Sequence, residues 1–186
     1  MEQIERRAEA LLRALPDYIW TGERPPIPID EIADSHFGLL VRDVEPEEMR
    51  EAPGLGAVDP GEAISGLLLP SLGEIWVNRD EGGQWPARRR FTIAHEIGHH
   101  VLHRTGQQAL FCRKATVQEG AAPTTRAPLP VNEQEANAFA AALLMPAELV
   151  QQHYERCRGD FEELCRVFSS SGAAMGRRLH AVVPRA

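Results

Sequence analysis

What the chain lacks narrows its class before any motif is read. No segment reaches the ~18 consecutive apolar residues of a membrane-crossing helix, so none is expected. The opening MEQIERRAEALLRALPDY alternates charge with apolar positions and has no uninterrupted apolar stretch, unlike a secretory signal. Cysteines number three, Cys112, Cys157 and Cys165, an odd count without zinc-knuckle spacing, and a reducing cytoplasm is the simplest reading. Basic excess is also missing. A formal net charge of -7, with Arg88, Arg89 and Arg90 the only run of three basic residues, argues against broad nucleic-acid binding by phosphate neutralisation. There is no internal repeat. With 25% charged and 43% hydrophobic residues over 186 positions, the composition is that of a soluble globular protein. The expectation is a single domain over residues 1–186: an N-terminal helix in 1–23, a core in 24–145 and a helical subregion in 146–186.

Against that ordinary background, Phe91 to His103 reads FTIAHEIGHHVLH. In a helix, residues four apart differ by ~40° in azimuth and ~6 Å in rise, so His95 and His99 can grip one ion. Glu96 then sits beside the metal without having to bind it. Imidazole nitrogen is a favoured zinc donor, and three protein ligands with one open position turn a bound water into a nucleophile near neutral pH. The implied chemistry is hydrolysis, with Glu96 as general base.

Glu2 to Leu15 places Ile4, Ala8, Leu11, Leu12 and Leu15 at helical spacing and stops at Pro16. Arg24 to Pro28 reads as an extended connector, and a short helix from Asp30 is closed by Gly38. Leu39 to Val44 has strand character. Ala63 to Leu69 and Glu74 to Asn78 form a hairpin around residues 70–73, directly before the motif helix. Residues 104–130 resemble a long loop, of a length that is usually functional or disordered. Asn132 to Met145 is a second strong helix, with Asn132 as N-cap and Pro146 as its end. Ala147 to Arg156, Phe161 to Phe168 and Gly172 to His180 are further helices.

A catalytic zinc needs one more protein ligand, and His100, His103, Glu119, Glu133 and Glu135 are the candidates. His103 lies ~12 Å along the helix from His95 and His100 is rotated ~140° from it, so both are neighbours of the site. Glu133 and Glu135 point ~200° apart on one helix, so at most one faces inward. Ala136, Phe139, Ala140, Leu143 and Leu144 define the apolar arc. Glu133 and Asn137 fall within it and Glu135 roughly opposite. A buried-face acid needs a partner, and a metal is one. Asn137, four residues after Glu133, is placed to accept the second ring N–H of a ligating histidine.

RRRFTIAHEIGHHVLH (Arg88 to His103) and NEQEANAFAAALLMP (Asn132 to Pro146) resemble the ImmA/IrrE metalloendopeptidases. Weaker agreement extends to PIPIDEIADSHFGL, SGLLLPSLGEIWVN and VFSSSGAAMGRRL. The resemblance implies one zinc ion on His95, His99 and Glu133, with Glu96 as general base. The Glu133–Asn137 spacing is also similar to the glutamate-x-x-x-aspartate of thermolysin-like zinc peptidases, with asparagine in place of aspartate. The ImmA/IrrE resemblance further implies a regulatory protease, cytoplasmic, that cleaves a helix-turn-helix repressor in a stress, phage or mobile-element response. The expected fold is α+β and zincin-like: a small mixed or antiparallel sheet packed against the motif helix, with additional helices. The alternative is a DNA- or protein-binding regulator whose zinc site is structural or silent.

Other residues carry weaker readings. Cys112 reads first as a small buried hydrophobe, and otherwise as a thiolate that occupies or guards the open zinc position. His100 and His103 are candidates for an oxyanion-side donor, with His153 and Tyr154 unranked beside them. Arg88 to Arg90 read as a solvated lead into the helix, with capture of an acidic substrate segment as the sharper option. Phe161 to Leu179 loosely resembles a DNA-reading helix-turn-helix, with Arg177, Arg178 and His180 as its basic residues, although direct nucleic-acid binding is not expected.

Overall fold

The computed structural model describes residues 2–55, 63–103, 111–114 and 129–183, with 111–114 described by backbone alone. The first helix, α1 (Glu2–Ala14), carries Glu2 and Glu5 in its first turn and Arg13 in its last, which complements the helix dipole. It buries Ala8 and Leu12 and stops short of Pro16, whose ring cannot continue it. After the proline-rich connector, α2 (Ile29–Glu31) runs into a π-helical turn, Ile32–His36, and Gly38 at φ 66° redirects the chain. Strand β1 (Leu40–Val44) follows, then α3 (Pro46–Arg50), which starts on a proline and buries Met49. Strands β2 (Ile64–Leu69) and β3 (Glu74–Asn78) form the expected hairpin.

Asn78 then caps α4 (Arg79–Gln84), its side chain accepting from the Glu81 backbone N–H at 3.2 Å. The motif helix is α5 (Pro86–Leu102); strand β4 (Phe111–Lys114) and helix α6 (Val131–Leu144) come next. Helices α7 (Ala147–Arg156), α8 (Phe161–Phe168) and α9 (Gly172–Val182) complete the described chain.

Four strands make one mixed sheet in the order β1-β3-β2-β4. β1 runs parallel to β3, while β2 is antiparallel to both β3 and β4. Strand alternation sends Leu68, Ile75 and Val77 to one face, where they meet Ile93, Ala94 and Ile97 of α5 in an apolar cluster. That cluster continues through Phe139, Ala140 and Leu143 of α6 to α1 and to α7, α8 and α9. Leu67, Leu69 and Trp76 face the opposite side, where Met49 and Val44 cover them. The central strand β2 is thus buried on both faces, as its unbroken ISGLLL run requires.

Four expectations are corrected. The hairpin does not lead directly into the motif helix, because α4 intervenes. The stretch 104–130 is not wholly loop. Phe111–Lys114 pairs with the free edge of β2, a long-range docking that four residues do not announce locally. The rest of that stretch, up to residue 128, lies outside the described residues. Asn132 is not the N-cap of α6; that position is Pro130, and Asn132 falls in the first turn. Arg88 to Arg90 are not a solvated lead. Arg88 reaches Glu81 at 2.9 Å, Arg89 binds Asp30 at 2.7 Å and Asp43 at 2.8 Å, and Arg90 donates to the Ile27 carbonyl at 2.6 Å. These contacts fasten the start of α5 to the elements before it.

Candidate metal centre

Helix α5 lies between the sheet and α6, so every residue from Thr92 to His99 is buried. A segment buried all round normally carries apolar residues throughout. Here it carries His95, Glu96 and His99, each at most 1% exposed. Two glycines let the neighbours come close enough. At Gly66 of β2, a Cβ would lie 2.3 Å from Thr92 Cγ2 and 3.1 Å from Glu96 Oε1. At Gly98, a Cβ would lie 3.2 Å from both Cα and O of Ala136 on α6. Sequence reasoning passed over both. An isolated glycine inside an apolar strand, and one inside a helix, were the available signals of close backbone approach.

The approach of α6 brings Glu133 over the two histidines. His95 Nε2 is 3.3 Å from Glu133 Oε2, His99 Nε2 is 3.1 Å from Glu133 Oε1, and the two Nε2 atoms are 3.0 Å apart. Among the described residues, these three form a group whose donor atoms could hold one metal ion. Ligands at ~2.0–2.1 Å from a tetrahedral ion lie about 3.3 Å from one another, so the donor set fits zinc in chemistry and spacing. Burial drives the Glu133 carboxyl upward, but hydrogen bonds and attraction from His95 and His99 outweigh it and bring its pKa down to about 2. The carboxylate is therefore ionised where a cation would sit.

The other ring nitrogens point away from this centre. His95 Nδ1 lies 3.1 Å from Asn137 Oδ1. A carbonyl oxygen only accepts, so Nδ1 carries a proton, and Nε2 is the nitrogen left to face Glu133 and His99. His99 Nδ1 lies 3.1 Å from His103 Nδ1, and His103 Nε2 lies 2.9 Å from Glu135 Oε2. His103 is thus behind His99, on the side away from Glu133. Glu96 is not among the three gathered donors; its Oε1 lies towards Gly66 on the sheet side of α5.

The remaining candidates sit elsewhere. His100 packs edge-on against Phe37, with ring centroids 5.3 Å apart. His153 packs against Phe168, and the ring of Tyr154 lies over Gly159, both within the C-terminal helices. The Cα of Cys112 pairs with that of Leu67, but its side chain lies outside the described residues, as does the whole of Glu119. In the α8–turn–α9 segment, Arg178 is buried in contact with Glu5 and the Met145 carbonyl, so one of the three basic residues is turned inward.

Comparison with known proteins gives one family. The model for the M78 peptidases, described as an IrrE N-terminal-like domain, matches residues 73–180, a stretch that contains all three donors. Among solved structures, a Mycobacterium tuberculosis transcriptional regulator is similar in fold, with a TM-score of 0.56 at 16% identity. The alignment covers 100% of this chain and 48% of that one, so the chain spans about half the length of that protein. No match is found among curated proteins.

Proposed function

Given that the chain belongs to the IrrE N-terminal-like family of M78 peptidases, we propose that it is a zinc-dependent endopeptidase with His95, His99 and Glu133 as ligands of a single ion. The observation that carries this reading is the convergence of two Nε2 atoms and a carboxylate within 3.3 Å of one another on facing buried helices. Zinc bound there would supply a water acidified to near neutrality and a Lewis acid for the scissile carbonyl.

The protein's own groups do the rest. Glu96, fixed by burial between β2 and α5, takes a proton from the attacking water and later delivers it to the leaving amine. Asn137 holds His95 in the tautomer whose Nε2 faces the ion. The burial of α5 excludes bulk water from the base, which strengthens its electrostatic effect on the reacting atoms. The family resemblance supports a protein substrate of narrow range, a helix-turn-helix repressor in a stress or mobile-element response. Three scattered cysteines fit a cytoplasmic setting, and no helix among the described residues is long and apolar enough to cross a membrane.

Glu96→Gln is the direct test. The variant should hold zinc like the wild type and lose about 10²–10⁴-fold in cleavage of a repressor substrate. Equal cleavage by the two proteins, or none by either on every candidate repressor, would instead favour a binding regulator with a silent metal site. The similarity to a transcriptional regulator keeps that second reading in view, although its likeness extends to fold alone.

A further inference from the structure

Glu135 is the acid that the helical wheel sets aside, and the structure gives it a partner of its own. Both glutamates of the first two turns of α6 reach histidines of α5 or its C-cap: Glu133 the Nε2 atoms of His95 and His99, Glu135 the Nε2 of His103. His103 in turn meets the back of His99, and the ring centroids of His99 and His103 are 5.3 Å apart. A chain of three side chains therefore runs from the partly exposed edge of α6 to a buried candidate ligand.

The proton positions along this chain follow from what each atom can accept. An ionised carboxylate only accepts, so His103 Nε2 carries a proton. In the neutral form of that ring, Nδ1 is the lone pair. Of the two facing Nδ1 atoms, His99 must be the donor, which leaves His99 Nε2 as the lone pair that faces His95 and Glu133. We infer that Glu135 and His103 are positioning residues, which lock His99 in the orientation and tautomer that a metal ligand needs. The inference rests on the zinc reading of the same site. It adds that the two ligating histidines are held differently: His95 by a direct amide contact, His99 by a carboxylate acting through a second imidazole. Metal-ligating histidines are commonly oriented by a carboxylate or carbonyl on the far nitrogen, and loss of such a partner costs about 10–100-fold in metal affinity. An interposed imidazole passes on the same constraint.

The test combines a spectrum that needs no metal with a metal titration. Long-range 1H–15N correlation spectra of the full chain, metal-free and in alkaline buffer where imidazoles are neutral, should show protons on His99 Nδ1 and His103 Nε2. In Glu135→Leu, at a position exposed enough to accept the change, His103 should become a mixture of tautomers and His99 should follow. Zinc affinity, read by competition with a chromophoric chelator, should weaken about 10–100-fold. Thermal unfolding of the metal-free variant should stay near that of the wild type. Glu135→Gln, whose amide oxygen still accepts from His103, should recover most of the affinity. A wild-type His99 protonated on Nε2 overturns the proposal, as does wild-type zinc affinity in both Glu135→Leu and His103→Phe. If the wild type shows the expected tautomers but takes up no zinc, the peptidase reading fails while the proton arrangement of the Glu135–His103–His99 chain is upheld.

Discussion

Among the described residues, the buried polar groups around Arg178 and those around His95 are built on opposite plans. Near the C-terminus, Arg178 donates Nε–H to the Met145 carbonyl at 2.7 Å and Nη1–H to Glu5 at 2.9 Å, while its Nη2 reaches the other oxygen of Glu5. Every contact sets a donor against an acceptor, and those to Glu5 also set a positive charge against a negative one. That cluster is complete, and it ties α9 to α1 and to the end of α6. At His95, His99 and Glu133, two ring nitrogens and a carboxylate converge at 3.0–3.3 Å, while the far ring nitrogens are taken up by Asn137 and His103. Such an arrangement is satisfied by a cation at its centre, whether protons on the imidazoles or a metal ion. Burial of polar groups alone does not distinguish a clamp from a binding site; what distinguishes them is whether the groups already present balance one another or converge on a place for a cation.

The contrast is broken most severely by removing Glu133. Glu133→Ala should abolish zinc uptake and cleavage together. Thermal unfolding with and without zinc reads the same loss: at about a thousandfold excess over Kd the wild type should gain about 4 kcal/mol from the ion, and the variant nothing. Arg178→Met should do the reverse. It leaves Glu5 and the Met145 carbonyl without their donor, for about 1–3 kcal/mol of lost stability in urea denaturation, and leaves zinc affinity alone. If Arg178→Met weakened zinc binding as Glu133→Ala does, the two clusters would not be separable and the comparison would fail.

A smaller effect is expected where packing, not a ligand, sets the geometry. Alanine is the better helix former, so Gly98→Ala gains up to about 1 kcal/mol from backbone propensity. The new methyl presses on the backbone of Ala136, at a cost of about 1–3 kcal/mol. The cost outweighs the gain, so stability should fall modestly, by up to about 2 kcal/mol. Zinc affinity should also fall several-fold, because α6 carries Glu133 and must move to admit the methyl. A variant with weaker stability and unchanged zinc affinity would place the compliance elsewhere than between α5 and α6.

What the sequence announced and what it concealed divide along the range of the interactions. The periodicity of α6 was enough to turn Glu133 and Asn137 inward, and the 3.6-residue repeat of α5 was enough to pair His95 with His99, because both depend only on helix geometry. The hairpin of β2 and β3 was legible from a polar turn between two apolar runs. Strand β4 was not, since four residues become a strand only by docking on β2. Arg89 and Arg90 looked solvated because their partners Asp30, Asp43 and Ile27 are 46 to 63 positions away in the chain. Glu135 looked idle for a related reason: the wheel says which way a side chain points but not what stands there. His103 stands there because it caps α5 one turn beyond His99.

The mildest prediction tests the two backings against each other. Asn137→Leu removes the acceptor behind His95 while filling much the same volume, and leaves the Glu135–His103 chain behind His99 untouched. An amide orients an imidazole less firmly than a carboxylate, so the loss in zinc affinity should lie near the lower end of the range for such contacts, about tenfold. Asn137→Asp should bind zinc at least as well as the wild type, since it restores a charged acceptor at 3.1 Å from His95 Nδ1. Chelator competition on the two variants reads both outcomes. Unchanged zinc affinity and activity in Asn137→Leu would mean that His95 is held by its packing within α5 and needs no partner on Nδ1. In that case the donor-against-acceptor argument would apply to His99 alone, and the difference between the two histidines would be larger than proposed here.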